Sequence, residues 1–180
     1  MMKVQQAGDQ RGFSRLELMV VVLVFGILAA VLLERLRFYQ EMAEKARMEY
    51  TVSRIKSGLR LRMAGLLVAG RAQEYSTLAK QNPIEWLDDK QENYAGEFAS
   101  EKGQHALPGT WNFDRTDRML VYSVQHGAHF QPDSTGRKQV RLKVITIRNT
   151  DGGVPNVVAN EPSDSVAVEF VEAYRWFSQD

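Results

Sequence analysis

Residues 18–33 read LMVVVLVFGILAAVLL, sixteen side chains with no polar group among them. A run like this leaves the chain few choices. Backbone amides in apolar surroundings must bond to one another, and a single segment does that only as a helix. Sixteen residues fall slightly short of a membrane span. Counting back to Phe13 gives 21 residues, or about 30 Å of helix, the thickness of a bilayer core. Glu17 stands at the mouth of the run. A carboxylate there is costly in lipid, so it should have a partner or a task.

Three readings compete for this segment. In a secretory signal peptide, Lys3 and Arg11 would be the basic start and Ala29-Ala30 the small residues before a cut. Signal cores run about 7–15 residues, whereas this one continues through Val31-Leu32-Leu33 and carries Glu17 at its edge. A plain single-span anchor accounts for the run but not for Gly12-Phe13 or Glu17. The third reading is a helix cut on its N-terminal side and kept.

The residues GFSRLELMVVVLVFGILAAVLL, Gly12 onward, resemble the N-terminus of type IV prepilins and type II secretion pseudopilins. That pattern is a short charged leader ending in Gly, then Phe, then Glu four residues on, then about 20 apolar residues. The resemblance covers about residues 8–40. It implies cleavage between Gly12 and Phe13 by prepilin peptidase, N-methylation of the new Phe13 amine, and a role for Glu17 in subunit assembly. It also implies a single pass through a bacterial inner membrane, with the leader cytoplasmic and the C-terminal domain periplasmic. After assembly the chain would stand in a pilus or pseudopilus. The implied partners are prepilin peptidase, other pilins or pseudopilins through the N-terminal helix, and an inner-membrane assembly platform.

Two departures narrow the resemblance. Many members carry a kinking Pro 21 residues after the Phe, where this chain has Glu34, so the helix is expected to run straighter there. The chain has no Cys, whereas many major pilins close their C-terminal region with a disulfide. Both point to a minor pilin or a pseudopilin. The system stays open between a fibre such as the mannose-sensitive haemagglutinin pilus and the type II secretion pseudopilus. A different class, a membrane-anchored periplasmic ligand-binding protein, is the alternative.

The 12-residue leader holds Lys3, Arg11 and Asp9, and without it 21 basic and 21 acidic residues remain. That balance gives no bulk attraction to nucleic acid, which is not an expected partner. Basic residues lie on both sides of the run, Lys3, Arg11 and Arg15 against Arg35, Arg37, Lys45 and Arg47. The positive-inside rule therefore gives no orientation.

Beyond the run the helical spacing continues. Leu36, Tyr39, Ala43, Ala46 and Tyr50 recur at steps of 3 or 4, as do Val52, Ile55, Leu59, Met63 and Leu66. The spacing predicts one helix over about 14–68, about 80 Å long, with an amphipathic second half packed on a head. Arg54, Lys56, Arg60 and Arg62 are expected on its solvated face. Gly70 reads as a C-cap, 72–81 as a short second helix, and Asn82-Pro83 as its end. Residues 88–109 read as polar and irregular. Alternating apolar side chains over 110–114, 119–125, 139–148 and 164–177 predict strands, the first two joined by an Arg115-Thr116-Asp117 turn. The last loses phase near Val171, which predicts a bulge.

The expected fold is therefore α+β and pilin-like, a long N-terminal helix packed on a roughly four-stranded antiparallel sheet. Its parts are a leader 1–12, a membrane or filament-core helix 13–35 and a head 36–180. The head divides into a helix half 36–68, an irregular stretch 69–109 and a sheet 110–180. No cofactor, metal or catalytic residue is expected, and no nucleophile elbow, P-loop or paired-His motif occurs. His126-Gly-Ala-His129, with Asp133 nearby, has metal-like spacing but reads as a solvated loop. Asp151-Gly152-Gly153 lacks the alternating oxygens of a strong calcium loop. Trp111, Tyr122 and Trp176 read as sheet core.

Overall fold

The computed structural model describes residues 14–87, 89, 91–99, 107–147 and 165–177. Helix α1 spans Arg15–Val68, 54 residues, as the spacing predicts. The chain divides into two compact units, residues 1–39 and 40–180. In the first, every described side chain of the helix is exposed, so its apolar run has no cover among the described residues. By length and composition α1 can cross a membrane.

In the second unit α1 buries one stripe, Met48, Val52, Ile55 and Leu59. It ends where Gly70 turns left-handed at φ 69. Arg71 N donates to Leu66 O at 2.8 Å and Gly70 N to Leu67 O at 3.0 Å, closing the last carbonyls. A 3-10 turn Ala72–Glu74 leads into α2, Tyr75–Leu78. A second 3-10 turn, Pro83–Trp86, is capped by Asn82, whose side chain accepts from Ile84 N. Gly58 lets this turn lie against α1, because a Cβ there would stand 3.2 Å from that of Trp86.

The sheet has five strands in the order β1-β2-β3-β4-β5. They are β1 Tyr94–Phe98, β2 Trp111–Asp114, β3 Met119–Ser123, β4 Gln139–Ile147 and β5 Ser165–Phe170. β2 to β5 pair antiparallel in sequence, and β1 pairs parallel with β2. The expected four-stranded antiparallel sheet is thus corrected to a five-stranded mixed one. β1 arises inside the stretch read as irregular. Its large side chains are the half-buried Tyr94 and Phe98, of which Tyr94 packs on the core, around a Gly96 at φ 104 and an interrupted register. As an edge strand it needs pairing on one side only, so the alternation that marks a central strand is weak here.

The β2–β3 hairpin turns over residues 115–118. Asp114 Oδ1 accepts from Thr116 N at 2.8 Å, and Arg118 takes φ 52. One sheet face supplies Trp111, Leu120, Tyr122, Val140, Leu142 and Val168 to a core shared with Met48, Val52, Ile55 and Leu59. β5 ends at Phe170, so the expected bulge near Val171 is absent. Val171 N still donates to Arg141 O of β4 at 2.9 Å; further on, Trp176 bridges to Phe130.

Candidate functional site

Of the processing residues, Gly12 and Phe13 lie outside the described residues, as does Asp151-Gly152-Gly153. Glu17 lies in the first turn of α1, where a carboxylate complements the positive end of the helix dipole. Ser14 begins that turn, its Oγ accepting from Leu16 N at 3.4 Å and its carbonyl from Leu18 N at 3.0 Å. Glu17 is exposed, as are all side chains of residues 18–33. The carboxylate and the apolar surface are therefore both presented outward.

The second unit holds a tighter constellation on the same helix. Glu41 is 2% exposed and Glu44 is 9% exposed, beside the apolar stripe. Glu41 accepts from the His129 backbone at 2.8 Å, the His129 Nδ1 at 2.8 Å and the Trp176 indole at 3.0 Å. Glu44 accepts from the Tyr122 hydroxyl at 2.9 Å, from Gln125 N at 2.7 Å, and from the His126 backbone and Nδ1 at 2.6 and 2.9 Å. An ionised carboxylate only accepts, so Nδ1 is the donor in each ring contact.

Two carboxylates thus hold the loop 125–129 and the tail residue Trp176 against one helix face. Lys45 donates to the Trp176 carbonyl at 3.3 Å, and Tyr174 to Glu49 at 3.0 Å. Phe130 meets Trp176 edge to face at 5.1 Å. Burial alone would push the Glu41 carboxyl up. The hydrogen bonds from His129 and Trp176 outweigh it and hold the carboxyl below its ordinary value. Burial and the neighbouring Glu44 push the Tyr122 hydroxyl up.

His126-Gly-Ala-His129 is therefore a loop, as expected, but one pinned by both its backbone and its rings. Asp133 does not join it. Its Oδ1 accepts from Thr135 N and Arg137 N within its own turn. No metal-holding group of three or more His, Cys, Asp or Glu occurs among the described residues. The arrangement fixes loop and tail; its carboxylate oxygens are already taken up by donors.

The apolar spacing of the sequence runs through Leu36, Tyr39, Ala43, Ala46 and Tyr50 and does not mark Glu41 or Glu44. Those five are exposed. A signal was present: stepping back from Leu59, Ile55, Val52 and Met48 in helical phase reaches Glu44 and Glu41. The spacing of three between the glutamates also matches that between the histidines. No family model matches this chain, and neither the curated proteins nor the solved structures give a match.

Proposed function

We propose that this chain is a minor pilin-like structural subunit of a bacterial envelope filament, a type IV pilus or a type II secretion pseudopilus. The observation that carries this is the junction Gly12-Phe13 with Glu17, set directly before sixteen apolar residues that lie exposed on α1. An uncovered apolar helix needs lipid or other helices around it. The chain enters the inner membrane with its head periplasmic. Prepilin peptidase cuts after Gly12, and the Phe13 amine is methylated.

On extraction into a filament, the apolar helices of many subunits bundle together. Glu17 then meets the Phe13 ammonium of a neighbour, since a carboxylate held in apolar surroundings needs a cation. Four residues of helix rise about 6 Å, so on a helix continued to Phe13 the two groups of one chain would lie at different depths. The head is a spacer and contact surface, and no catalytic step is assigned to it.

The test is expression of the full chain in a bacterium with prepilin peptidase and in the same strain lacking it. Intact mass and N-terminal sequencing should give N-methyl-Phe13 in the first and an uncut chain in the second. Gly12→Leu should abolish the cut. A mature start after Ala30, or an intact Met1 with the peptidase present, rejects the reading. Glu17→Val should be cut normally but enter sheared filaments poorly. Equal incorporation of mutant and wild type would leave Glu17 as a boundary charge only.

A further inference from the structure

Residues 50–68 of α1 contain four bases, Arg54, Lys56, Arg60 and Arg62, and no acid. Arg54 and Arg62 line two open clefts that meet at Gly58, Leu61 and Trp86, whereas Lys56 lies over the Phe170 ring at 5.7 Å and Arg60 borders neither cleft. The larger, about 540 Å³, runs between the end of α1 and the segment 71–86, with Leu61, Arg62, Gly65, Leu66 and Leu78 among its walls. The smaller, about 370 Å³, continues along α1 past Ser57 and Arg54 to Tyr50. Large apolar side chains stand open on this side, Tyr50 at 64% and Leu61 at 73% exposure.

Charge on this surface is one-sided. Glu74 is the one carboxylate lining either cleft, and Arg71 holds it by two bonds of 2.6 and 2.7 Å. Arg54 meets Asp89 at 3.4 Å, an exposed contact. Arg62 is exposed and has no carboxylate within ion-pair distance among the described residues.

Gly65 supplies a second, independent observation. Glycine weakens a helix interior and is kept where a neighbour must come close. Gly58 has that neighbour in Trp86. A Cβ on Gly65 would meet nothing within 4 Å, so nothing described in this chain explains its bareness. The bare backbone faces the larger cleft.

We infer that this groove docks an acidic amphipathic helix of a partner protein, its apolar edge on Leu61 and Leu66, its backbone crossing at Gly65 and its carboxylates on Arg62 and Arg54. A helix fits an apolar floor beside Arg54 and Arg62, and α1 itself rises about 27 Å over residues 50–68, the span of an 18-residue helix. The proposal stands apart from the reading of the N-terminal segment and holds whether or not the chain enters a filament.

The test uses the full chain in detergent and fluorescence anisotropy. The probe is a labelled synthetic helix of about 18 residues with Leu at i, i+3, i+4 and i+7 and Glu on both flanks. Its counterpart has Lys for every Glu. The Glu helix should bind saturably and at least about tenfold more tightly than the Lys helix. Gly65→Leu fills open space and adds helix propensity, so it should keep the thermal midpoint while losing at least about tenfold in affinity. Arg62→Glu, at an exposed site, should reverse the preference between the two probes. Equal affinity for both probes, or wild-type binding by Gly65→Leu, would overturn the proposal. A single-stranded oligonucleotide binding more tightly than the Glu helix would also overturn it, making the surface one for nucleic acid.

Discussion

Two stretches of one helix invert the usual relation between polarity and burial. Over residues 18–33 the side chains are entirely apolar and all exposed. Over residues 41–59 the buried positions include two carboxylates, Glu41 and Glu44, and one hydroxyl, Thr51. A helix face is covered when the rest of the chain supplies something that fits it. The sheet, the 125–129 loop and the tail supply donors and apolar side chains to the second stretch. The first stretch receives no cover from the described residues, and by length and composition it can cross a membrane.

The sharpest way to break this contrast is to separate the two stretches. A chain lacking residues 1–35 should be soluble and folded, with both helix and β-sheet in circular dichroism. The full chain should require membrane or detergent. A truncated chain that stays with membranes, or is mostly unfolded, would show that the two stretches are not independent.

Next in size come the buried carboxylates. Glu41→Ala leaves the His129 backbone, the His129 ring and the Trp176 indole without their acceptor. Stranding the buried Trp176 indole and losing the part-buried His129 bonds should cost about 2–4 kcal/mol, read by denaturant unfolding of the truncated chain. Glu44→Ala should cost a similar amount. The double variant should cost less than the sum, because both residues hold one loop. Additive losses would mean that the loop is held at two unconnected points.

A third measurement separates charge from shape. The folded Glu41 carboxyl lies below the ordinary carboxylate value of 4.5. Its contribution is complete above that pH and fades as pH falls through the lower folded value. Asp133, which Thr135 and Arg137 hold below its ordinary value against the opposing effect of burial, adds in the same direction. The head should therefore lose stability on acidification below about pH 4.5. Glu41→Gln should be less stable at neutral pH and show a shallower acid slope. An unchanged slope would place the acid sensitivity elsewhere.

Much of the fold was legible because it rests on periodicity. The length of α1, its Gly70 cap and the strands from Trp111 to Phe170 follow from spacing and turn residues that act locally. β1 was not legible, because Tyr94 and Phe98 flank a glycine and the strand borrows its order from β2. The site at Glu41 and Glu44 was hidden for another reason. Apolar spacing does not mark the packed face here; hydrogen bonds from residues 78 to 135 positions away decide it. Leu36, Tyr39, Ala43, Ala46 and Tyr50 hold a helical spacing without being core, so that spacing is available to partners outside the chain.

The smallest expected effect tests that stripe directly. Tyr50 is 64% exposed and Met48, two residues away, is 1% exposed. By spacing alone Tyr50 would be the core residue; by the structure Met48 is. Met48→Ala removes a side chain from a packed core and should cost about 2–5 kcal/mol, cavity included. Tyr50→Ser gives up little beyond the Arg54 guanidinium, 5.9 Å from its ring centroid. A cation over an exposed ring contributes about 0.5–1 kcal/mol at most, so the midpoint should move by no more than a few degrees. A Tyr50→Ser loss as large as that of Met48→Ala would put the aromatic stripe back in the core and rotate the packed face of α1. A near-silent Tyr50→Ser leaves the ring as surface, available to a partner and not needed by the fold.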